Sequence, residues 1–213
     1  MTQRLDYQLI AQWVPPYAKV LDLGCGTGDL LETLALQKSV SAQGIELNEE
    51  AIYACVEKGI TVFHGDIESG LGEYPDKSFE VVILNQSIQE VQHFDFVLQE
   101  ALRVGWKVII AFPNFAFISS RIELLWGRSP VTKALPYSWH NSPNKHFFSI
   151  KDFEKYCVDH TIYILKRAFI RGTHSVHIHP NLFAELGIYE ITTNIRQLTA
   201  QEQAVIYFDG EGI

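Results

Sequence analysis

The sequence has only three cysteines, Cys25, Cys55 and Cys157, and no C-x-x-C pair among them. An odd, scattered set of this kind argues against a disulfide framework and against a structural zinc site. Basic residues are scarce as well: 17 Lys and Arg stand against 25 Asp and Glu, a formal net charge of −8. A long basic groove for nucleic acid is not expected from that balance. No run of about 18 uncharged apolar residues occurs, and the opening Met-Thr-Gln-Arg-Leu-Asp lacks an apolar core, so neither a membrane span nor a leader peptide is expected. Internal repeats, low-complexity tracts and linkers are missing too. What remains is a chain of 213 residues, 47% apolar and 20% charged. It fits one cytoplasmic α/β domain whose partners are small molecules or proteins.

The chain is organised around Lys19–Gly28, K-V-L-D-L-G-C-G-T-G. Val20, Leu21 and Leu23 suit a strand buried on both faces, and Gly24, Gly26 and Gly28 let the following loop turn tightly and approach a ligand. A helix begins at once with Asp29, so the loop delivers a ligand to a helix N-terminus. The dinucleotide fingerprint G-x-G-x-x-G needs glycine at position 29, where this chain has Asp29. The shorter G-x-G-x-G, with Asp22 inside the strand, resembles motif I of the class I S-adenosylmethionine (SAM) methyltransferases. SAM has no pyrophosphate, and its sulfonium cation and amino-acid zwitterion suit a wider loop beside a carboxylate. A plain strand-to-helix turn would also use one or two glycines.

Strands and helices then alternate. Tyr7–Trp13 reads as a helix closed by Pro15-Pro16 and packed beside the ligand mouth. Val40–Leu47 reads as strand 2 and carries Glu46, 22 residues after Gly24. At that interval an acid on strand 2 meets the two hydroxyls of a nucleoside ribose, although a solvated acid opening the next helix would look the same. Glu49–Lys58 is a helix ended by Gly59, and Ile60–His64 is strand 3. Gly65-Asp66 follows, an ordinary turn pair. In the class I resemblance it is also the place of the acid that binds the adenine amino group, with Ile67 against the purine face. Val81–Leu84 is strand 4, running into Asn85-Gln86, which the same resemblance turns towards the donor methyl. No [DNS]-P-P-[YF] follows, so the amino-methylating nucleic-acid enzymes that use it are set aside. Helix Phe94–Leu102 and strand Trp106–Phe112 complete five units of a doubly wound sheet, with its ligand at the carboxyl ends of the strands.

From Phe115 to Phe148 the alternation breaks into an aromatic-rich insertion with a helix at Ala116–Leu125. A loop of this length reads as a lid or a partner surface, and its aromatic residues as either anchors or packing. A helix capped by Ser149 runs to about His160. Strands Thr161–Ile170 and Leu186–Thr193 follow, the latter antiparallel. Between them His174, His177 and His179 form H-x-x-H-x-H, which lacks a neighbouring cysteine or acid and is expected to be an exposed loop without metal. The expected fold class is therefore α/β, a Rossmann-like doubly wound, mostly parallel seven-stranded sheet with an antiparallel last strand. Residues 1–193 are expected to form one domain with an insertion at 115–148, and 194–213 a tail.

Several runs together resemble the bacterial MetW family of methionine biosynthesis proteins. They are G-C-G-x-G, D-x-S-F with V-I-L after it, F-P-N-F, P-V-T-K-A-L-P-Y at Pro130–Tyr137, S-P-N-K-H and P-N-L-F-A-E-L, spread over Leu5–Thr193. The resemblance implies the class I methyltransferase fold, SAM or S-adenosylhomocysteine as ligand, and association with homoserine O-acyltransferase (MetX). It implies ligand contacts from Asp22, Gly24, Cys25, Gly26 and Gly28, from Glu46 and Leu47, from Gly65, Asp66 and Ile67, and from Asn85 and Gln86. Two functions follow, a methyltransferase acting on a small molecule or a SAM-binding subunit regulating the acyltransferase. The first needs a general base near the methyl, and none of Asn85, Gln86, Ser87 and Gln89 is one. Only Tyr137, His140 and His146 of the insertion offer that chemistry, which favours the second.

Overall fold

The computed structural model describes residues 4–194, so the expected tail lies outside the described residues apart from Asn194. Its sheet contains β1 (Lys19–Leu23), β2 (Ser41–Glu46), β3 (Thr61–His64), β4 (Phe79–Asn85), β5 (Gly105–Pro113), β6 (Tyr163–Arg171), β7 (His174–Ser175) and β8 (Leu186–Thr192). Their spatial order is β3-β2-β1-β4-β5-β8-β6-β7. The first five are mutually parallel. β8 enters antiparallel between β5 and β6, as expected of the last strand. The sheet has eight strands rather than seven because β7, placed in a loop by the sequence, pairs His174 with Arg171 across a tight turn at Gly172. A two-residue strand leaves no alternation to read.

Alternate residues of the central strands enter two separate cores, the pattern a strand's period of two dictates. Val20, Val81, Ile83, Ile109, Ala111 and Ile188 face helices α1 (Leu5–Trp13) and α2 (Asp29–Lys38), which bury Ile10, Leu30, Leu31 and Leu34. Cys55 of α3 (Glu49–Glu57) joins that side. Leu21, Leu23, Val82, Leu84, Val108, Ile110 and Phe112 face α4 (Phe94–Val104) and α6 (Ile150–Asp159), which supply Val97, Leu98, Ala101, Phe153 and Cys157. Each fully buried aliphatic chain contributes about 1.5–3 kcal/mol, so the sheet is pinned from both faces.

α6 starts where expected. Ser149 Oγ accepts from Asp152 N at 3.2 Å while Asp152 Oδ2 accepts from Ser149 N at 2.8 Å, a reciprocal cap. Within the insertion, α5 spans Ile118–Leu125, two residues later than the sequence suggested, because Asn114 Oδ1 first accepts from Ala116 N in a turn. Phe117 and Leu135 are buried, whereas Trp126 and Trp139 are 77% and 79% exposed. A four-residue helix α7 (Pro180–Phe183) leads into β8. The strand order reverses between β1 and β4, which opens a crevice at their carboxyl ends.

Candidate functional site

A cavity of about 300 Å³ lies in that crevice, lined by Asp22, Gly24, Cys25, Gly26, Asn85 and Gln86 among the expected residues. The loop that forms it depends on left-handed backbone. Gly24 has φ 77° and Gly28 φ 75°, and a Cβ added at either would stand 2.8 Å from Ser87 Cβ or 2.9 Å from Cys55 Sγ. Both approaches hold the loop down onto its neighbours. At Gly26 an added Cβ would meet nothing within 4 Å, so that side of the loop is open.

Asp22 is the chemically distinctive group. β1 places it between Gly44 and Ile83, and it is only 2% exposed. Its Oδ1 is buried without a hydrogen-bond partner among the described residues. Burial, with the negative charge of Glu46 nearby, raises its pKa from 3.8 to about 7. A buried carboxylate oxygen without a partner, lining an open cavity, is a place for a cation.

Glu46 ends β2 and ties the loop to the next helix. Its Oε2 accepts from Gly26 N at 2.8 Å, and its Oε1 accepts from Leu47 N and Asn48 N, both at 2.9 Å. The acid thus stands beside the glycine loop without lining the Asp22 cavity. Leu47, Gly65, Asp66 and Ile67 do not line the Asp22 cavity. They sit at the ends of the adjacent strands, with Gly65 N donating to Glu46 O at 3.0 Å. Asp66 is exposed and its Oδ1 accepts from Glu68 N at 2.8 Å, capping a short 3₁₀ turn at Ile67–Ser69. Gly28, whose φ sets the start of α2, borders the loop without lining the cavity.

The sequence did not single out Arg4, Thr27, Asp29 and Leu30, which also line it together with Tyr7 of the helix expected beside the ligand mouth. Arg4 precedes α1 and Tyr7 lies in its first turn, so the N-terminal end of that helix reaches the carboxyl ends of the strands. Arg4 Nη2 donates to Asp6 Oδ2 at 2.6 Å and Nη1 to Tyr7 Oη at 3.3 Å, and the guanidinium lies 4.4 Å from the Tyr7 ring centre. The signal for Tyr7 was the helix expected beside the ligand mouth, and Arg4 is the extended residue just before that helix. Asp29 forms an ion pair with Lys58, which holds its carboxyl below the usual range, and accepts from Thr27 Oγ1 at 3.0 Å.

None of the three candidate bases of the insertion lines this cavity. Tyr137 lies near Phe115 and Leu135, His140 packs edge-on to Trp139 at 5.5 Å, and His146 packs edge-on to Phe94 at 5.6 Å. Among the described residues no group of three His, Cys, Asp or Glu is arranged to hold a metal ion. No helix there is long and apolar enough to cross a membrane.

A parallel sheet reversing at β1/β4, with a glycine loop, a buried acid on β1 and an acid ending β2, defines the fold of the class I SAM-dependent methyltransferases. Solved structures agree on that fold. A SAM-dependent methyltransferase from Mesorhizobium loti superposes with TM-score 0.65 at 13% identity, covering 88% of this chain and 97% of that one. A SAM-dependent methyltransferase from Thermotoga maritima, described as a possible histamine N-methyltransferase, does so with TM-score 0.61 at 15% identity, covering 89% and 90%. Within this class the chain belongs to the family described as methionine biosynthesis protein MetW, whose sequence profile matches residues 4–191. It is also 36% identical over 162 residues to the bifunctional methionine biosynthesis protein MetXA/MetW of Rhodopirellula baltica. That match takes in 71% of this chain but spans about a quarter, 26%, of the relative's length.

Proposed function

We propose that this protein is a SAM-binding regulatory subunit of methionine biosynthesis that acts through a homoserine O-acyltransferase. The observation that carries the partnership is the relative from Rhodopirellula baltica, whose name joins MetXA and MetW in one polypeptide. Two functions fused in one chain in one organism are natural partners when they occur as separate chains. In this reading residues 1–193 act as one SAM-binding domain and 115–148 as its partner-facing insertion.

The cavity's chemistry supports SAM or S-adenosylhomocysteine as the ligand. The unpaired Asp22 Oδ1 suits the amino-acid ammonium, and Arg4 at the other wall suits its carboxylate. Glu46 would take the ribose hydroxyls, exchanging one of its present backbone bonds, and Asp66 the adenine amino group, with Leu47, Gly65 and Ile67 around the base. When bound, SAM supplies an electrophilic methyl group at the Asn85–Gln86 end. The chain's own part is to bind and orient it, because Asn85 and Gln86 are not bases and the insertion's Tyr137, His140 and His146 lie outside the cavity. Regulation then arises from differential binding: a ligand that favours one arrangement of the site's surroundings changes the affinity for the partner.

The test is co-purification of homoserine O-acyltransferase with this protein, with and without SAM, alongside calorimetry of SAM on the protein alone. Retention of the acyltransferase that changes with SAM is the expected result. Tight SAM binding with no retention in either condition favours a methyltransferase acting on a small molecule instead.

A further inference from the structure

A second cavity, of about 740 Å³, lies where the insertion meets the β6–β7 turn. From it we infer a binding site for a small oxyanion, a phosphoryl or carboxylate group, held between Arg171 and Lys133. β6 runs parallel to β5, since both are antiparallel to β8, so Arg171 at its end is on the same end of the sheet as Asp22. The two cavities share no lining residue. Three strand spacings separate β6 from β4, about 15 Å, so the two sites are distinct.

The charges explain the assignment. In a chain of net charge −8, this cavity gathers a guanidinium, an ammonium and the His174 imidazole. The Arg171 guanidinium stacks on the ring of buried Phe117 at 5.2 Å, which orients the planar fork without using its N–H groups. Among the described residues neither Arg171 nor Lys133 has a carboxylate partner. The one acid lining the cavity is Glu185, and its Oε2 accepts from Gly172 N at 2.9 Å, bracing the turn. Both cations line one space, so an anion there could pair with each. The Thr132 hydroxyl adds a donor, while Thr173 Oγ1 lies 3.3 Å from His174 Nδ1. Thr132 Oγ1 already accepts from Leu135 N at 3.1 Å, which leaves its hydrogen free to donate to the anion.

The test titrates the full chain with inorganic phosphate and, separately, with malonate, against chloride at matched ionic strength, by calorimetry. Saturable binding of at least one is expected. Arg171→Ala and Lys133→Ala should each weaken it about tenfold or more, the scale of one lost charge-assisted contact, and Arg171→Lys less. SAM affinity and the unfolding temperature should be unchanged in all three variants, which separates failure here from failure of the SAM reading. Tighter phosphate assigns a phosphoryl ligand and tighter malonate a carboxylate. Absence of saturable binding beyond chloride, or equal affinity in the wild type and both alanine variants, overturns the site.

Discussion

Asp22 is the residue on which the proposed ligand chemistry turns, and its environment makes a pH-dependent prediction. Because burial raises its pKa from 3.8 to about 7, the folded chain holds this proton more tightly than the unfolded chain. Its contribution to stability is therefore fully present below 3.8 and lost as pH rises through about 7. Asp22→Asn removes the titration, so the gap in melting temperature between variant and wild type should widen in the variant's favour from pH 4 to pH 8. A constant gap would show that Asp22 titrates normally. The same proton must leave before a cation can pair with the carboxylate. SAM affinity should then rise with pH, by up to about tenfold per unit below the pKa, and level off above it. Calorimetry at pH 5.5, 6.5 and 7.5 measures this, with a flat profile in the asparagine variant. Gly28 gives a second residue-scale expectation. With φ at 75° and Cys55 Sγ 2.9 Å from an added Cβ, Gly28→Ala should cost at least about 1–2 kcal/mol of stability, read by urea unfolding.

At the scale of elements, what the sequence made legible was whatever has a period or a fixed interval. β1 and its loop were readable because three apolar positions, Val20, Leu21 and Leu23, run into alternate glycines, and Glu46 because the βαβ unit fixes its distance from the loop. α6 was readable from Ser149 and Asp152, three apart. Ser149→Ala should lower stability by about 1 kcal/mol without changing SAM affinity, because the cap lies outside the Asp22 cavity. A loss of SAM affinity at unchanged stability would contradict that separation. The helix expected beside the ligand mouth does bring Tyr7 to the cavity, whereas Arg4, the residue before α1, carried no local signature of that role. β7 is set by a glycine turn and two residues, too short for any pattern. The insertion's apolar content was plain, but which side chains turn inward was not: Phe117 and Leu135 fill the domain while Trp126 and Trp139 face outward.

At the scale of the whole molecule, charge and apolar exposure coincide in that insertion. Phe115–Phe148 carries Arg121, Arg128, Lys133 and Lys145 against Glu123 alone, in a chain whose overall charge is −8. Leu125, Trp126 and Trp139 expose 85%, 77% and 79% of their surface there. Tryptophan flanked by arginine is the composition of interface anchors, and it sits at the carboxyl end of β5, the end that carries the ligand cavity. A partner presenting an acidic, apolar face would bury these rings, and ligand binding at that end of the sheet would bias the arrangement it meets. Trp126→Ala and Trp139→Ala remove exposed rings with little packing of their own, so each should leave the melting temperature and SAM affinity within error of the wild type. Their effect should fall on the acyltransferase. Each change should weaken its retention by this protein about tenfold or more, the usual penalty for a truncated hot-spot tryptophan. Full retention by the double variant would place the partner surface elsewhere on the molecule, and a loss matched by a lowered melting temperature would show that the rings serve the fold instead.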